Sequence, residues 1–515
     1  MFRLLGLLGG LSVATDLGTG APMEEALRRC VVGVRLARAL GEPDEVVDDV
    51  LWTSLLQHLG CSAWSHEAAA TWGDDVRTTR LAFLTDFDRP RDVWGTWVTG
   101  LAEVTGAGRA RALVATVQHA KRSDAEGPPA TCEVARDAAR MLGLPAGVQR
   151  ALHHGLASWD GSGHPGARGE EVPRATRIMH VASTAVMFAL DADRTTAIER
   201  VRRRDGRLLD PTLVAAFLDV ADEVLLDLEE MDPQHEVLGL EPDPVRWVDT
   251  AQLEHVAATL GALADLKSPW LQGHSSGVAR LVADAAAGGG VAEQATRLGV
   301  AGHLHDLGRV AVSSRIWDKV GPLTAAEQDQ VHLHPFYSES IVGRVPELHD
   351  VAVLVGQHHE RCDGGGYHRG MPAAGLSYGS RLLAAADAYR SLVEPGPRRP
   401  AVGPHEAAHE LDRTAKEGQL DVDAVRAVLA AAGHDVGPDD GGGGPAGLTP
   451  RQVQVLRLVA SGLSNPEIAD RLGISRRTAE HHVQAVYERA GVSTRAGAAL
   501  FAMHHGLLDP AGYAP

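Results

Sequence analysis

Seven side chains of the kinds that bind metal ions lie between residues 274 and 387 of this chain. Three stand alone and four form two adjacent pairs: His274, His305-Asp306, His334, His358-His359 and Asp387. Imidazoles and carboxylates gathered at one point hold divalent cations, and such cations turn bound water into a nucleophile. The grouping therefore predicts an enzyme, or the descendant of one.

Helical sequence patterns contain or adjoin nearly all of these residues, so helices must position them. Neighbouring helix residues point about 100° apart, so His305 can serve one cation while Asp306 bridges two. The other ligands are expected to close the site from further helices. Ligands drawn from several helices are held in place by core packing rather than by loops.

The chain has 25 histidines, and a single histidine on a helix is more often a core or surface residue than a ligand. We interpret four of them in that way: His303, His332, His349 and His368. Glu360 is equally compatible with a side chain that hydrogen-bonds to a metal ligand and with a charge exposed to solvent.

The composition is that of a soluble globular protein, with 44% hydrophobic and 23% charged residues. A formal charge of −18 argues against a general binder of polyanions, so any nucleic-acid contact must be local. The four cysteines are widely spaced without a CxxC pair, which disfavours a disulfide framework. No run beyond the apolar first 14 residues is apolar enough to cross a bilayer. We expect a cytoplasmic protein with no membrane partner.

The sequence predicts an all-α protein of three domains. Residues 1–232 are expected to form one helical domain and residues 248–433 a second, with a Pro-rich acidic stretch between them. Residues 434–447 include four consecutive glycines and are expected to be a flexible linker. Residues 448–515 should form a compact domain of four helices.

Residues 1–232 and 248–433 read as a diverged repeat, because similar motifs follow one another in the same order. Where the second half has His274, His305-Asp306, His334 and Asp387, the first half is aligned to Cys30, Gln57-His58, Cys132 and Ser183. One histidine pair, His153-His154, is aligned to His358-His359. We therefore expect the first half to be a degenerate, metal-free copy that serves dimerisation, ligand sensing or support.

The second half resembles the HD-GYP subgroup of HD-domain metal-dependent phosphohydrolases. The motifs that carry the resemblance occur in order at His274, 303–309, His334-Pro335, 358–368 and 386–392. It implies two divalent transition-metal ions, iron or manganese, held by the seven side chains, with Asp306 and Arg309 as catalytic residues. It also implies cleavage of a cyclic dinucleotide such as cyclic di-GMP, contacted by four residues: Arg309, Asp363, Gly366 and Tyr367.

Three positions depart from the family pattern. Arg309 stands where the family usually has lysine, which keeps the charge but changes its geometry. His368 replaces the proline of the Gly-Tyr-Pro motif. Trp270 stands where some relatives carry a glutamate for a third metal, so the resemblance implies two metals.

Residues 448–508 predict four short helices, with Thr449 and Ser475 as N-caps, and resemble the LuxR/NarL-type helix-turn-helix. They hold seven arginines against four acidic residues, although the whole chain is acidic. The resemblance implies that the third helix, Arg476–Ala490, enters the major groove of DNA. Seven of its residues are expected to reach phosphates or base edges: Arg476, Arg477, Thr478, Glu480, His481, His482 and Gln484. The resemblance also implies pairing through the fourth helix, 495–505, and therefore a homodimer.

We predict a DNA-binding transcriptional regulator that carries an HD-GYP-like phosphodiesterase. The alternative is a transcription factor whose HD domains only bind a nucleotide or mediate dimerisation. For the last domain, the alternative is a helical protein-interaction module. Replacing Asp306 with alanine separates the first two hypotheses, because hydrolysis should be lost under the first while DNA control alone persists under the second.

Overall fold

The computed structural model describes residues 1–288, 290–434, 448, 450–460, 463–492, 498, 501–502 and 507. They belong to two compact units, Met1–His434 and Asp435–Pro515. The predicted all-α class is confirmed, because helices dominate the described residues and their strands form one two-stranded sheet. Among these residues, no helix is long and apolar enough to cross a membrane. The predicted linker, apart from His434, lies outside the described residues.

The first half of the larger unit is built from helices around a core rich in leucine, valine and alanine. These helices are α1 (Leu4–Leu11), α2 (Val13–Gly18), α3 (Glu25–Ala39), α4 (Asp44–Leu56), α5 (Ser65–Trp72), α6 (Asp75–Leu84), α7 (Pro90–Asp92), α8 (Thr99–Thr105), α9 (Arg109–Met141), α10 (Ala146–His153), α11 (Arg174–Asp191), α12 (Arg194–Arg203), α13 (Pro211–Val224) and α14 (Pro233–Leu240). A π-helical turn, Val93–Val98, joins α7 to α8.

The second half continues with another set of helices. They are α15 (Thr250–Asp265), α16 (His274–Gly288), α17 (Ala295–Leu304), α18 (Ser314–Trp317), α19 (Ala325–His332), α20 (His334–Val342), α21 (His349–Gly356), α22 (Tyr378–Val393), α23 (Pro404–Lys416) and α24 (Val422–Ala431). A 3₁₀ turn, Leu307–Ala311, follows α17. The strands β1 (Phe2–Arg3) and β2 (Trp247–Val248) pair antiparallel and connect the chain start to the beginning of this half.

Two glycines allow the helices of the second half to approach closely. A Cβ atom on Gly302 of α17 would lie 2.4 Å from the Cα of Ala279 on α16. A Cβ on Gly308 would lie 2.1 Å from the carbonyl oxygen of His334, at the start of α20. Only glycine fits at such distances. These contacts bring the chain around residues 305–306 against the starts of both α16 and α20.

A buried ion pair joins the two halves. The Lys267 ammonium, from the end of α15, contacts the carboxylate of Asp75, the first residue of α6, and both side chains are at most 2% exposed. Asp75 also accepts hydrogen bonds from the Ser313 hydroxyl at 2.9 Å and the Ser314 N–H at 2.8 Å. Since Ser314 begins α18, this contact fixes α18 against the first half.

The two halves repeat specific contacts at corresponding places. The Ala26 N–H donates to the buried Asp16 carboxylate at 3.1 Å, and the Ser275 N–H donates to the buried Asp265 carboxylate at 3.1 Å. Arg177 pairs with Asp210 at 2.8 Å, and Arg381 pairs with Asp421 at 3.0 Å. In each pair, the aspartate caps the following helix. These matches support the predicted repeat.

Glycine contacts fix two more correspondences. A Cβ on Gly60 would lie 2.0 Å from the carbonyl oxygen of Thr131. In the second half, a Cβ on Gly308 would lie 2.1 Å from the carbonyl oxygen of His334. A Cβ on Gly163 would lie 2.3 Å from the Leu156 carbonyl oxygen, and one on Gly366 would lie 2.6 Å from that of His359. The same backbone approach therefore recurs in both halves.

These contacts correct part of the sequence alignment. Glu25 corresponds to His274, rather than Cys30, because each is the first residue of its helix and precedes the residue that binds the buried aspartate. Thr131, not Cys132, corresponds to His334. Gly155 and Leu156 correspond to the pair His358-His359, so His153-His154 stands two residues earlier. The alignments of Gln57-His58 with His305-Asp306 and of Ser183 with Asp387 agree with the contacts.

The smaller unit contains α25 (Pro450–Ala460), α26 (Asn465–Leu472) and α27 (Arg476–Ala490). The Ser475 hydroxyl caps α27 by accepting the Thr478 N–H at 3.1 Å, as predicted, and Gly491 follows in the left-handed region. The buried face of α27 carries Ala479, Val483 and Val486. Thr449 and most of the predicted fourth helix lie outside the described residues.

Candidate metal centre

The seven predicted ligands come together from five helices of the second half. His274 and His334 are the first residues of α16 and α20, and Asp387 lies within α22. The pair His305-Asp306 directly follows α17, and the pair His358-His359 follows α21. His359 is partly exposed, and the other six are at most 2% exposed. Because helix ends and packed faces supply the side chains, core packing fixes their positions.

The ligand atoms form two adjacent groups. In one group, His274, His305 and Asp306 have ligand atoms within 4.8 Å of one another. The same limit holds for His334, His358 and His359 in the other group. No further group of this kind, with three or more histidine, cysteine or acidic side chains, occurs among the described residues.

Asp306 stands between the two groups. Its Oδ2 lies 3.2 Å from His305 Nε2 and 3.6 Å from His274 Nε2. Its Oδ1 lies 3.3 Å from His334 Nε2 and 3.6 Å from His358 Nε2. Each oxygen therefore faces a different histidine group, which is the arrangement of a carboxylate that bridges two cations.

Asp387 also contacts both groups. Its Oδ1 lies 3.3 Å from His274 Nε2, and its Oδ2 lies 3.6 Å from His359 Nδ1. Burial alone would raise the pKa of Asp387, but His274 and His359 hold it well below its ordinary value. The carboxylate is therefore ionised and available to a cation.

Hydrogen bonds orient three of the imidazoles. The Nδ1 atoms of His305, His334 and His358 lie 2.6–2.8 Å from the carbonyl oxygens of residues 302, 331 and 355. Each Nδ1 therefore carries the proton, and each Nε2 is left as an electron-pair donor. Partners that fix the tautomer in this way are typical of metal-bound histidines.

The centre contains buried polar atoms without hydrogen-bond partners. They are Nε2 of His274, Nε2 of His305 and both carboxylate oxygens of Asp306, of which Oδ2 has an ion pair with Arg309 but no hydrogen bond. Leaving such atoms unpaired is costly, and a bound divalent cation would satisfy them together. The residues present thus fit a metal site, with nitrogen and oxygen donors that suit transition metals.

Glu394, which directly follows α22 and lies about two turns beyond Asp387, was not predicted from the sequence. Its carboxylate lies 2.7 Å from His274 Nδ1. Burial lowers the pKa of His274, but Asp387 and Glu394 raise it to about 10, so the imidazole takes up a proton where no cation balances these carboxylates. The seven-residue spacing from Asp387, which places both residues on one helix face, was the available signal.

Arg309 lies beside the centre. Its Nε is 2.6 Å from Asp306 Oδ2, and its guanidinium carbon lies 4.6 Å from the centre of the Trp317 ring. The Trp317 indole N–H donates to the Arg309 carbonyl oxygen at 3.1 Å. Arg309 is thus fixed by one carboxylate and one aromatic ring.

An open cleft of about 240 Å³ leads to the centre. Its lining includes Arg309, Tyr367, Arg398 and Arg399 beside the ligands His274, His334 and His359. Trp270, four residues before His274, also lines it. The sequence analysis missed Arg398 and Arg399, because they lie in an irregular segment after α22. Their positive charges make the cleft suitable for a phosphate-containing ligand.

The other predicted substrate contacts are divided between the cleft and its neighbouring loop. Tyr367 lines the cleft and stacks on His332, with ring centres 4.0 Å apart. Asp363 instead binds Arg361 and accepts the Gly365 N–H at 2.8 Å. Gly366 packs against the backbone of residues 359–361. The latter two hold the loop in shape, and their contact with substrate stays a prediction.

Glu360 also stabilises this loop. It accepts the Arg369 N–H at 2.7 Å and the Met371 N–H at 2.8 Å, and it is buried. Its burial excludes the interpretation as a solvated charge, and its contacts are with the backbone of this loop.

His303 is buried, as expected for a core histidine, and burial lowers its pKa to about 4.

In the smaller unit, the predicted DNA contacts lie in the N-terminal part of α27, away from its buried residues. Six of the seven are exposed and His482 is partly buried: Arg476, Arg477, Thr478, Glu480, His481, His482 and Gln484. Arg476 Nε lies 3.0 Å from Glu480 Oε1, and the Gln484 amide donates to Glu488 at 3.0 Å. These are weak surface contacts that DNA can replace.

Comparisons with known proteins give a family match for each of the two units. Residues 258–423 match the HD domain family, and residues 446–502 match the LuxR family of bacterial regulatory proteins. The chain carries an HD domain and a LuxR-family domain. Both resemblances drawn from the sequence are confirmed.

Several curated relatives resemble the HD domain or the LuxR-family domain. The 3′3′-cGAMP-specific phosphodiesterase 3 of Vibrio cholerae is 28% identical over 412 residues, covering 78% of this chain and 88% of the relative. The cyclic di-GMP phosphodiesterase response regulator RpfG of Xanthomonas campestris is 33% identical over 24% of this chain and 33% of its own length. The probable transcriptional regulatory protein NarL of Mycobacterium tuberculosis is 41% identical over 16% of this chain and 45% of its own length.

A solved structure gives the same fold. The crystal structure of a cyclic GMP-AMP-specific phosphodiesterase of V. cholerae aligns with a TM-score of 0.56 and 24% identity. The alignment covers 84% of this chain and 98% of the other. The predicted enzyme class, a metal-dependent phosphohydrolase, is confirmed by the HD domain and its relatives.

Proposed function

We propose that this protein is a DNA-binding transcriptional regulator whose HD domain hydrolyses a cyclic dinucleotide with the help of two divalent metal ions. The observation that carries the proposal is the position of Asp306, whose two oxygens face two separate histidine groups. The names of the relatives support a cyclic dinucleotide as the substrate class. The arginines of the cleft support a ligand with phosphate groups.

In this proposal, His274 and His305 would hold one cation, and His334, His358 and His359 would hold the other. Asp306 and Asp387 would contribute to both. Divalent cations at such a site supply Lewis-acid polarisation of a phosphoryl oxygen and acidify water. The seven side chains would be the protein's part of this work: they fix the positions of both cations and exclude most solvent.

Arg309 would bind the scissile phosphate. Its Nε lies 2.6 Å from Asp306, and its terminal N–H groups would bind a phosphoryl oxygen. The ring of Trp317 limits the movement of the guanidinium. Such a preorganised donor stabilises the charge that develops on the phosphate as the bond to the leaving oxygen breaks. Arg398 and Arg399 are placed to bind a second phosphate of the ligand.

The test is hydrolysis of 3′3′-cGAMP and cyclic di-GMP by the full chain, supplied with manganese or iron and followed by chromatography. Asp306→Asn should lower kcat/KM by about a hundredfold or more, because the bridging charge is lost. Asp284→Asn, an exposed aspartate on α16, is the matched control and should leave kcat/KM unchanged. Equal hydrolysis by Asp306→Asn and wild type would contradict the proposed site.

The proposed DNA binding is tested separately. A binding sequence selected from random DNA with the full chain is measured by fluorescence anisotropy. Arg477→Ala should weaken binding and reduce its salt dependence, because one phosphate contact is lost. Arg489→Ala, at the opposite end of α27, is the control. If no sequence is enriched, the predicted role of the smaller unit as a DNA-binding domain is wrong.

The non-catalytic alternative gives a different pattern in the same experiments. A regulator that only senses a nucleotide would bind the dinucleotide and DNA but release no hydrolysis product. Under this alternative, product formation by the wild type and by Asp306→Ala would both stay at the level of a blank without protein. Homodimer formation, which is also part of the proposal, is measured by light scattering.

A further inference from the structure

The first half of the larger unit has a cleft in the position that the metal cleft occupies in the second half. It measures about 310 Å³. Its lining includes the residues that correspond to five of the seven metal ligands: Gln57, His58, Gly155, Leu156 and Ser183. The repeat has therefore lost the ligands but kept an open space where they would stand.

This cleft is not suited to a metal ion. Glu25, which corresponds to His274, is bound by two guanidinium groups: Arg80 Nη1 at 2.8 Å and Arg29 Nη1 at 3.9 Å. Arg29 is fully buried. Side chains of the protein thus already supply the positive charge that cations would supply in the second half.

His58 also lacks the character of a metal ligand in this setting. It corresponds to Asp306, and a neutral imidazole has only one nitrogen with a free electron pair, so it cannot bridge two cations as a carboxylate can. Burial, followed by the charges of Arg29 and Arg80, holds its pKa well below the ordinary value. The side chain is therefore neutral and serves as a lining group.

Two arginines keep exposed guanidinium groups at the cleft. The side chains of Arg203 and Arg207 are 39% and 58% exposed. Arg203 pairs with Glu199, and Arg207 lies 3.1 Å from Asp88 and 3.9 Å from Asp160, two carboxylates that also line the cleft. Exposed ion pairs of this kind are weak, so a phosphate can replace the carboxylate.

The lining offers further groups that suit a nucleotide. Phe87 lines the cleft and is 52% exposed, so its ring is available for stacking with a base. The side-chain oxygen of Gln57 is buried and has no hydrogen-bond partner within the chain. An N–H group of a base would satisfy it. The hydroxyl groups of Ser158, Ser162 and Ser183 add donors and acceptors.

We infer that the cleft of the first half binds a nucleoside monophosphate without hydrolysing it. The base would stack on Phe87 and meet the Gln57 amide, and the phosphate would bind Arg203 and Arg207. The lining supports a mononucleotide, because it offers one exposed aromatic ring for one base and one pair of exposed arginines for one phosphate. The inference is independent of hydrolysis in the second half.

The experiment is calorimetric titration of the full chain with AMP, GMP, inorganic phosphate and 3′3′-cGAMP in the presence of a chelator, which removes metal from the second half. We expect AMP or GMP to bind more tightly than phosphate alone. Phe87→Ala should weaken that binding about tenfold through the loss of stacking. Arg207→Gln should also weaken it, and the neighbouring exposed Arg202→Gln should not.

Hydrogen exchange on the wild-type chain gives a second measurement that needs no variant. AMP or GMP should protect backbone amides in residues 83–88 and 155–162. Equal affinity of wild type, Phe87→Ala and Arg207→Gln would overturn the inference. Amide protection confined to the second half of the larger unit would also overturn it. So would a first half that binds 3′3′-cGAMP but neither AMP nor GMP. Loss of cGAMP hydrolysis alone would affect the proposed function and not this inference.

Discussion

Replacing Glu394 with glutamine tests how the metal centre is oriented. The Glu394 carboxylate lies 2.7 Å from Nδ1 of His274 and is 18% exposed, so it is largely shielded from solvent. It holds the proton on Nδ1 and leaves Nε2 of His274 directed at Asp306 and Asp387. Glutamine keeps the length of the side chain and an acceptor oxygen but loses the charge.

The substitution changes two contacts, the hydrogen bond to His274 and the ion pair with Arg390 on α22, and the effect on the metal follows from the first. Removing a partner of this kind typically lowers metal affinity about 10–100-fold, or about 1.4–2.8 kcal/mol. Because glutamine can still accept the Nδ1 hydrogen bond, we expect the lower end of that range. The loss of affinity should affect only the cation beside His274, since Glu394 pairs with His274 and Arg390 and not with the group of His334, His358 and His359.

The assay is competition between the protein and a chelating dye for Mn²⁺, which reports the affinities of the two sites separately. Glu410→Gln is the matched control, because Glu410 also pairs with an arginine on its own helix but lies on the exposed face of α23. Two unchanged affinities in Glu394→Gln would refute the orienting role. An equal loss at both sites would refute the division of the ligands into two groups.

Three further predictions concern the fold. Asp75→Ala leaves Lys267 buried without its carboxylate and should lower the free energy of unfolding by about 3–5 kcal/mol in urea denaturation, with partial recovery in Asp75→Ala/Lys267→Met. Burial raises the pKa of Asp16 to about 8, above the unfolded value of 3.8, so its contribution to stability should be lost as the pH rises through 8. The free energy of unfolding, measured from pH 5 to 9, should therefore vary less in Asp16→Asn than in the wild type. The same pH profile in both proteins would contradict this. Ser475→Ala removes the cap of α27 and should destabilise the smaller unit by about 1 kcal/mol, seen as a lower melting temperature by circular dichroism, whereas an unchanged melting temperature would show that the cap contributes nothing.

Local signals allowed accurate prediction where the structure is determined locally. The range of α27 was predicted correctly, because Ser475 supplies a cap at one end and Gly491 a stop at the other. The seven candidate ligands were found because their types and order are specific. Their approach to one another depends on Gly302 and Gly308, whose tight contacts are visible only in the folded chain.

Long-range contacts explain the parts that were not predicted. The match of Cys30 to His274 followed the Gly-Val and Arg-Leu pairs that both segments contain, whereas the contacts of the buried Asp16 set the correspondence. The pair His153-His154 was matched by residue type, but the packing of Gly163 places Leu156 there instead. Glu394 was missed because it lies outside every motif. In each case, the deciding partner is a residue that sequence similarity does not identify.

The most direct test of the two-cation centre is metal analysis of the full chain by mass spectrometry after reconstitution under anaerobic conditions. The wild-type protein should retain about two iron or manganese ions per chain after desalting, and Asp306→Asn should retain at most one. Asp284→Asn should match the wild type. A wild-type protein that retains no metal, or an Asp306→Asn variant that retains as much as the wild type, would contradict a centre built around Asp306.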